Sequence, residues 1–124
     1  ISKYEINSIL DQIKVINGIN ILSAQVQAQD METLRQAADM LRDKIAEGVI
    51  VLGSVVENKV NFIAVVTPAG LRGLHAGKII KEVAAITGGG GGGRPDMAQA
   101  GGKDPSKLSE ALASVQTIVQ KALK

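Results

Sequence analysis

A run of six glycines is the part of this sequence with the clearest chemical potential. Residues 88–93 are all glycine, and Arg94, Pro95 and Asp96 follow directly. Each glycine loses more backbone entropy on folding than other residues do, so an ordered run is costly. Three interpretations compete: a flexible linker, a bend that another backbone approaches closely, or a surface of bare N–H groups that accepts an anion.

The residues around the run argue against a plain linker. Arg94 can donate two hydrogen bonds to a phosphate; the alternative is a surface ion pair with Asp96 that only closes the loop. Residues 68–107 carry six basic and three acidic side chains, whereas residues 1–67 carry six basic and eight acidic ones. An anionic partner is therefore expected near the glycines. The other cations of the basic segment are Arg72, Lys78, Lys81, Lys103 and Lys107.

Composition excludes several other kinds of chemistry. The sequence has no cysteine, so disulfides and thiolate metal sites are impossible. Its single histidine, His75, is expected to be a loop residue, and Asp96 and Asp104 are not expected to bind a metal. With Tyr4 and Phe62 as the only aromatic rings, stacking of single-stranded bases is not expected. Neither a membrane span nor a signal peptide is expected.

A nucleotide site is not expected either. The run contains a GxGxxG pattern, but it follows a predicted helix, whereas the dinucleotide fingerprint follows a strand.

The elements that position these residues follow an α/β pattern. Period-two alternation from residue 19 to about 28 predicts a strand, and Asp30 offers an N-cap to the helix after it. A strand–helix–strand order implies a parallel pair with a right-handed crossover, and a tight turn at 57–59 implies an antiparallel third strand. Helices are predicted at 1–17, 30–47, 76–87 and 105–123, strands at 49–56 and 60–66, and a short edge strand near 97–100.

The predicted fold class is therefore α/β. We expect a small mixed sheet of three to four strands packed with helices, plus an N-terminal helical appendage. Residues 1–18 are expected to be the end of a helical linker subdomain and 19–124 a globular domain. The chain is expected to be a piece of a longer protein.

Residues 91–102, with the sequence GGGRPDMAQAGG, closely resemble the signature near the end of bacterial alanyl-tRNA synthetases. The flanking elements agree in order over about 19–124. The wider superfamily, the DHH-associated C-terminal domain, usually has Gly-Gly-Gly-His where this sequence has Arg94, which favours the synthetase branch.

The resemblance implies a non-catalytic domain that binds the outer corner of tRNA(Ala), helps couple aminoacylation with editing, and contributes to dimerisation. The parent would be a cytoplasmic, ATP-dependent ligase using Mg2+ and usually Zn2+, with no cofactor in this chain. Its other partners would be the upstream aminoacylation and editing domains of the same chain. The candidate RNA-binding residues are Gly89, Gly90, Gly91, Gly92, Gly93, Arg94, Gln99, Lys103, Lys78 and Arg72.

Two alternatives stay open from the sequence. One is the substrate-holding domain of a DHH-type phosphodiesterase or exonuclease, which would need an upstream Asp-His-His domain. The other is a structural role in which residues 1–17 and the last helix form a dimer seam.

Overall fold

The fold is built around a single β-sheet. The computed structural model describes residues 11–16, 18–45, 47–67 and 73–122. Within these residues the sheet has six strands in the order β1-β2-β3-β4-β6-β5. The strands are β1 (Lys14–Ile16), β2 (Ile19–Gln25), β3 (Gly48–Val56), β4 (Lys59–Thr67), β5 (Gly90–Gly93) and β6 (Met97–Gly102). The helices are α1 (Met31–Arg42), α2 (Ala76–Ile86) and α3 (Leu108–Ala122), the last preceded by a 3-10 turn at Pro105–Lys107.

The predicted α/β class and its parallel pair are confirmed. β2 and β3 run parallel, and α1 crosses between them. Asp30 caps α1, because its Oδ1 accepts a hydrogen bond of 2.8 Å from the Thr33 N–H. The helix ends at Arg42 rather than near residue 47, and Gly48 already begins β3.

The antiparallel hairpin after this pair is also confirmed. β3 pairs with β4 over nine residues each, from Gly48↔Thr67 to Val56↔Lys59. Glu57 and Asn58 form the two-residue turn with φ values of 51° and 65°. Two consecutive left-handed residues match the twist of the strands they connect.

The two faces of the sheet bury two separate apolar clusters. Alternate residues of β3, such as Val49 and Val51, pack with α2 and α3 on one face. Their neighbours Ile50 and Leu52 pack with α1 on the other face. We call these the α2 face and the α1 face. Within the described ranges, no helix combines the length and the apolar character that a membrane span requires.

Three finer predictions were wrong. The sheet has six strands rather than three to four, and the strand near 97–100 is the longer β6, which lies inside the sheet between β4 and β5. The predicted helix over 1–17 fails where the structure describes it, because Lys14–Ile16 form β1. β1 pairs with β2 around Gly18, whose φ is 82°. Val15 and Ile16 are β-branched, and Asn-Gly favours a hairpin as well as a helix stop. Residues 1–10 and 17, which carry the rest of that prediction, lie outside the described residues.

Candidate nucleic-acid interface

The glycine run begins as the cap of α2. Gly88 has a φ of 76°, its N–H donates to the carbonyl of Ala85 at 3.1 Å, and the Gly89 N–H donates to Ala84 at 2.9 Å. This pair of bonds is a Schellman motif, which needs a left-handed residue after the helix end. Buried Thr87 completes the junction, because its carbonyl accepts the N–H groups of both residues that follow β6.

The rest of the run is an ordered strand at the edge of the sheet. β5 pairs antiparallel with β6, from Gly90↔Gly101 to Gly93↔Ala98, and all four of its glycines are exposed. The flexible-linker interpretation is therefore wrong. As the outermost strand, β5 leaves part of its backbone N–H and C=O groups outside the ladder.

The turn between β5 and β6 holds Arg94 in place. The Arg94 N–H donates to the Met97 carbonyl at 2.9 Å. The Asp96 carbonyl accepts from the Val66 N–H, and the Pro95 carbonyl accepts from Ala76, the first residue of α2, both at 2.9 Å. The backbone of the turn is thus fixed to β4 and to α2, so Arg94 extends from a rigid position.

Alternate glycines of the run lie in close contact with the rest of the fold. A Cβ atom on Gly91 would lie 2.5 Å from the Cα of Ala100, and one on Gly93 would lie 2.8 Å from the Cα of Ala98. On Gly89 it would lie 2.6 Å from the Cα of Gly102. Real Cβ atoms are not found so close to a backbone, so these three positions require glycine. The close approach of another backbone is confirmed for them, although Gly91 and Gly93 lie in a strand rather than in a bend.

The α2 face of this strand is closed by the first turn of α2. A Cβ atom on Gly77 would lie 2.8 Å from the carbonyl oxygen of Gly93 and 2.9 Å from the ring of His75. Ala98 and Ala100, which pair with β5, are buried on the same face. Backbone therefore packs on backbone here, with no space for a side chain.

The two glycines between them face open space. A Cβ atom on Gly90 or Gly92 would meet nothing within 4 Å. Their partners across the ladder are Gly101 and the exposed Gln99. We call the surface of Gly90, Gly92, Gln99 and Gly101 the open shelf. It lies on the α1 face, on β5 and β6, next to β4, which α1 contacts.

A shallow groove of about 250 Å³ borders the open shelf. Arg94 lines it from the turn, and Arg35 lines it from α1. The predicted Arg94–Asp96 pair exists, but its Nε–Oδ1 distance is 3.7 Å and the Arg94 side chain is 76% exposed. Such a loose exposed pair contributes little stability. Arg94 therefore retains donors for a ligand.

Arg35 is the residue that sequence reasoning missed. It belongs to the acidic first part of the chain, and it is separated from Arg94 by more than fifty residues. No motif marks it. The only available signal was its exposed position beside the buried Leu34–Ala38–Leu41 stripe of α1, which many surface arginines share.

The other predicted residues take different places. Lys78 is exposed on α2, Lys103 is exposed after β6, and neither lines the groove. Arg72 lies outside the described residues. His75 has a structural role, as its Nδ1 accepts the Lys78 N–H at 3.3 Å and caps α2. Among the described residues, no group of three or more His, Asp or Glu side chains could hold a metal ion.

With this geometry in place, comparison with known proteins identifies the family. Residues 18–121 match the model of the DHHA1 domain. The chain belongs to the DHHA1 domain family. The resemblance to the alanyl-tRNA synthetase branch, stated from residues 91–102, is confirmed by two further comparisons.

The first relative is the alanine–tRNA ligase of Desulfitobacterium hafniense (strain Y51). This DHHA1 domain is 62% identical to it over 124 residues, which is all of the chain and 14% of the ligase. The chain thus spans about one seventh of the length of such relatives.

Solved structures agree with the sequence comparison. The C-Ala domain of Aquifex aeolicus alanyl-tRNA synthetase matches with a TM-score of 0.74 and 31% identity, over 90% of this chain and 96% of that one. A DHH-domain protein from a family of ribosomal proteins matches with a TM-score of 0.60 and 16% identity, over 98% of this chain and 31% of that one. The second match shows a shared fold only.

Proposed function

We propose that this DHHA1 domain is the non-catalytic C-terminal domain of an alanine–tRNA ligase and binds the outer corner of tRNA(Ala). In this role it holds the tRNA while the upstream aminoacylation and editing domains act on it, and it contributes to dimerisation. The parent enzyme would be a cytoplasmic, ATP-dependent ligase that uses Mg2+ and Zn2+. Those groups would be bound by the upstream domains.

One observation carries the proposal: an ordered, exposed strand without side chains lies beside an accessible arginine. Folded RNA is recognised largely through its shape, its phosphates and its 2′-hydroxyls. The exposed backbone of β5 can approach a ribose or a tertiary base pair without steric conflict. Arg94 can supply the phosphate contact, because its guanidinium is only loosely paired.

The composition supports the same mode of binding. Phe62 is fully buried in the core, so it cannot stack on a base. Because Tyr4 is the only other aromatic ring in the sequence, we expect attraction to come chiefly from cations, which makes the affinity depend strongly on salt. Lys78, Lys103 and Arg72 would add to the positive field without being required for contact, and Gln99 would contribute a hydrogen bond from the open shelf.

The proposal is tested by comparing two RNA ligands. Fluorescence anisotropy would measure the affinity of the 124-residue chain for intact tRNA(Ala) and for a minihelix of the acceptor stem alone. We expect tighter binding to the intact tRNA, because only that ligand has an outer corner. Equal affinities would contradict recognition of the corner.

Substitution of Arg94 then tests whether this residue contacts the RNA. Arg94→Ala is expected to weaken binding of intact tRNA about tenfold, the usual cost of losing a hydrogen bond to a charged group. Arg42→Ala is the matched control, since this arginine pairs with Asp39 on α1 and does not line the groove. Circular dichroism would establish that both variants fold. Equal binding by the two variants would assign Arg94 a structural role.

A further inference from the structure

The open shelf is bordered by two arginines from distant parts of the sequence. Arg94 extends from the β5–β6 turn and Arg35 from the second turn of α1, and both line the same groove with Gly92 and Gln99. Both side chains are exposed at the surface. Neither arginine side chain is part of the buried core.

The ion pairs of the described residues distinguish Arg35 from its neighbour on the helix. Arg42 pairs with Asp39 at 3.3 Å, whereas Arg35 forms no ion pair with any described residue. A guanidinium presents a planar fork of donors that matches a phosphate. Two such forks beside one groove can both donate hydrogen bonds to the oxygens of a phosphodiester.

The shape of the shelf agrees with this chemistry. Nothing within the described fold occupies the space above Gly90 and Gly92, and neither has the positive φ that would demand glycine. The fold itself therefore does not account for glycine at these two positions. Glycine lets a backbone approach closely, as in other phosphate-binding surfaces.

We propose that Arg35 is a second phosphate-binding residue, and that the RNA backbone crosses the open shelf with a phosphodiester held between Arg35 and Arg94. This inference rests on the proposed function and adds the side of the sheet on which the RNA lies. The RNA approaches from the α1 face, so Lys78 on α2 is at most a distant contributor.

The experiment measures the affinity of intact tRNA(Ala) for the 124-residue chain and its Arg35→Ala variant at several salt concentrations. Arg35→Ala is expected to weaken binding about tenfold and to reduce the slope of log affinity against log salt by about 0.7–0.9, the value for one phosphate contact. Arg35→Lys should keep the slope but recover only part of the affinity, because it restores charge without the fork. Arg42→Ala on the same helix should change neither.

Two results would overturn the inference while leaving the proposed function intact. One is tRNA binding by Arg35→Ala equal to that of Arg42→Ala. The other is a greater loss from Lys78→Ala than from Arg35→Ala, which would assign the RNA to the α2 face. Failure of the unmodified chain to bind tRNA would overturn the proposed function itself.

A steric variant gives independent evidence. Gly92→Leu would cover the shelf without disturbing the core, since the position above it is open. We expect unchanged circular dichroism and binding of tRNA weakened by more than about tenfold, with Gly92→Ala intermediate. Undiminished binding by the folded Gly92→Leu variant would contradict a path across the shelf.

Discussion

Two sets of glycines alternate in one short segment, and they differ in what surrounds them. Gly89, Gly91 and Gly93 lie so close to β6 that any side chain would collide with backbone. Gly90 and Gly92, which alternate with them, have open space where a side chain would lie. The first set is required by the fold, and the second is available to a ligand. A run that looks uniform in sequence is thus two surfaces in the structure.

The largest expected effect separates the two sets directly. Gly91→Val should lower the free energy of unfolding by about 3 kcal/mol, because the new side chain would need the space of Ala100. Gly92→Val should change it by less than about 1 kcal/mol, since a β-branched residue suits an exposed strand. Urea denaturation followed by circular dichroism would measure both. Similar losses from the two variants would break the comparison.

A smaller effect on stability is expected from a substitution in α2, the helix that packs against the glycines of the first set. Gly77→Ala would put a methyl group 2.8 Å from the carbonyl oxygen of Gly93, so β5 and α2 would have to move apart. The cost of overpacking exceeds the gain in helix propensity, and we expect a net loss of about 1 kcal/mol in unfolding free energy. The same denaturation assay applies. A gain of about 1 kcal/mol, as for an unconstrained helical glycine, would show that α2 does not press on β5.

The smallest effect concerns the junction where the run begins. Hydrogen bonds from the Ser106 hydroxyl and then its N–H lower the pKa of Asp104, whose own N–H donates to the Thr87 carbonyl. A pKa lowered in the folded state stabilises the fold above the ordinary value, and this stabilisation is lost as pH falls through the folded value. Below about pH 4, the melting temperature of the unmodified chain should therefore decline slightly more than that of Asp104→Asn. The asparagine keeps a cap but does not titrate. If the melting temperatures of the two proteins depend on pH identically, the Asp104 carboxylate does not stabilise this junction, and its backbone hydrogen bonds alone hold it.

The elements of the fold were largely predictable because their signals are local. Alternation predicted β2, the strand predicted at 49–56 is β3, and Asp30 marked the start of α1. The error at Lys14–Ile16 has a physical cause: Val15 and Ile16 are β-branched residues that suit a strand, and pairing with β2 favours the strand over the predicted helix. The number of strands was underestimated because β1 was predicted as part of a helix, and because β5 has no side chains and thus no pattern.

The candidate site was predictable only in part. Gly92, Gln99 and Arg94 line one groove, which their proximity in sequence makes easy to predict. Lys78 and Lys103 do not line the groove, although they come from the same basic segment. Net charge along a sequence does not specify the face on which each cation lies.

The sequence by itself determined the family, the order of most elements and the presence of an unusual glycine run, because each depends on neighbouring residues. Only the tertiary structure decided which glycines contact backbone and which face open space, and that Arg35 joins Arg94 at one groove. The reason is geometric. Facing direction in a strand alternates with a period of two, but what lies on each side is set by sheet neighbours and helices that are remote in the chain.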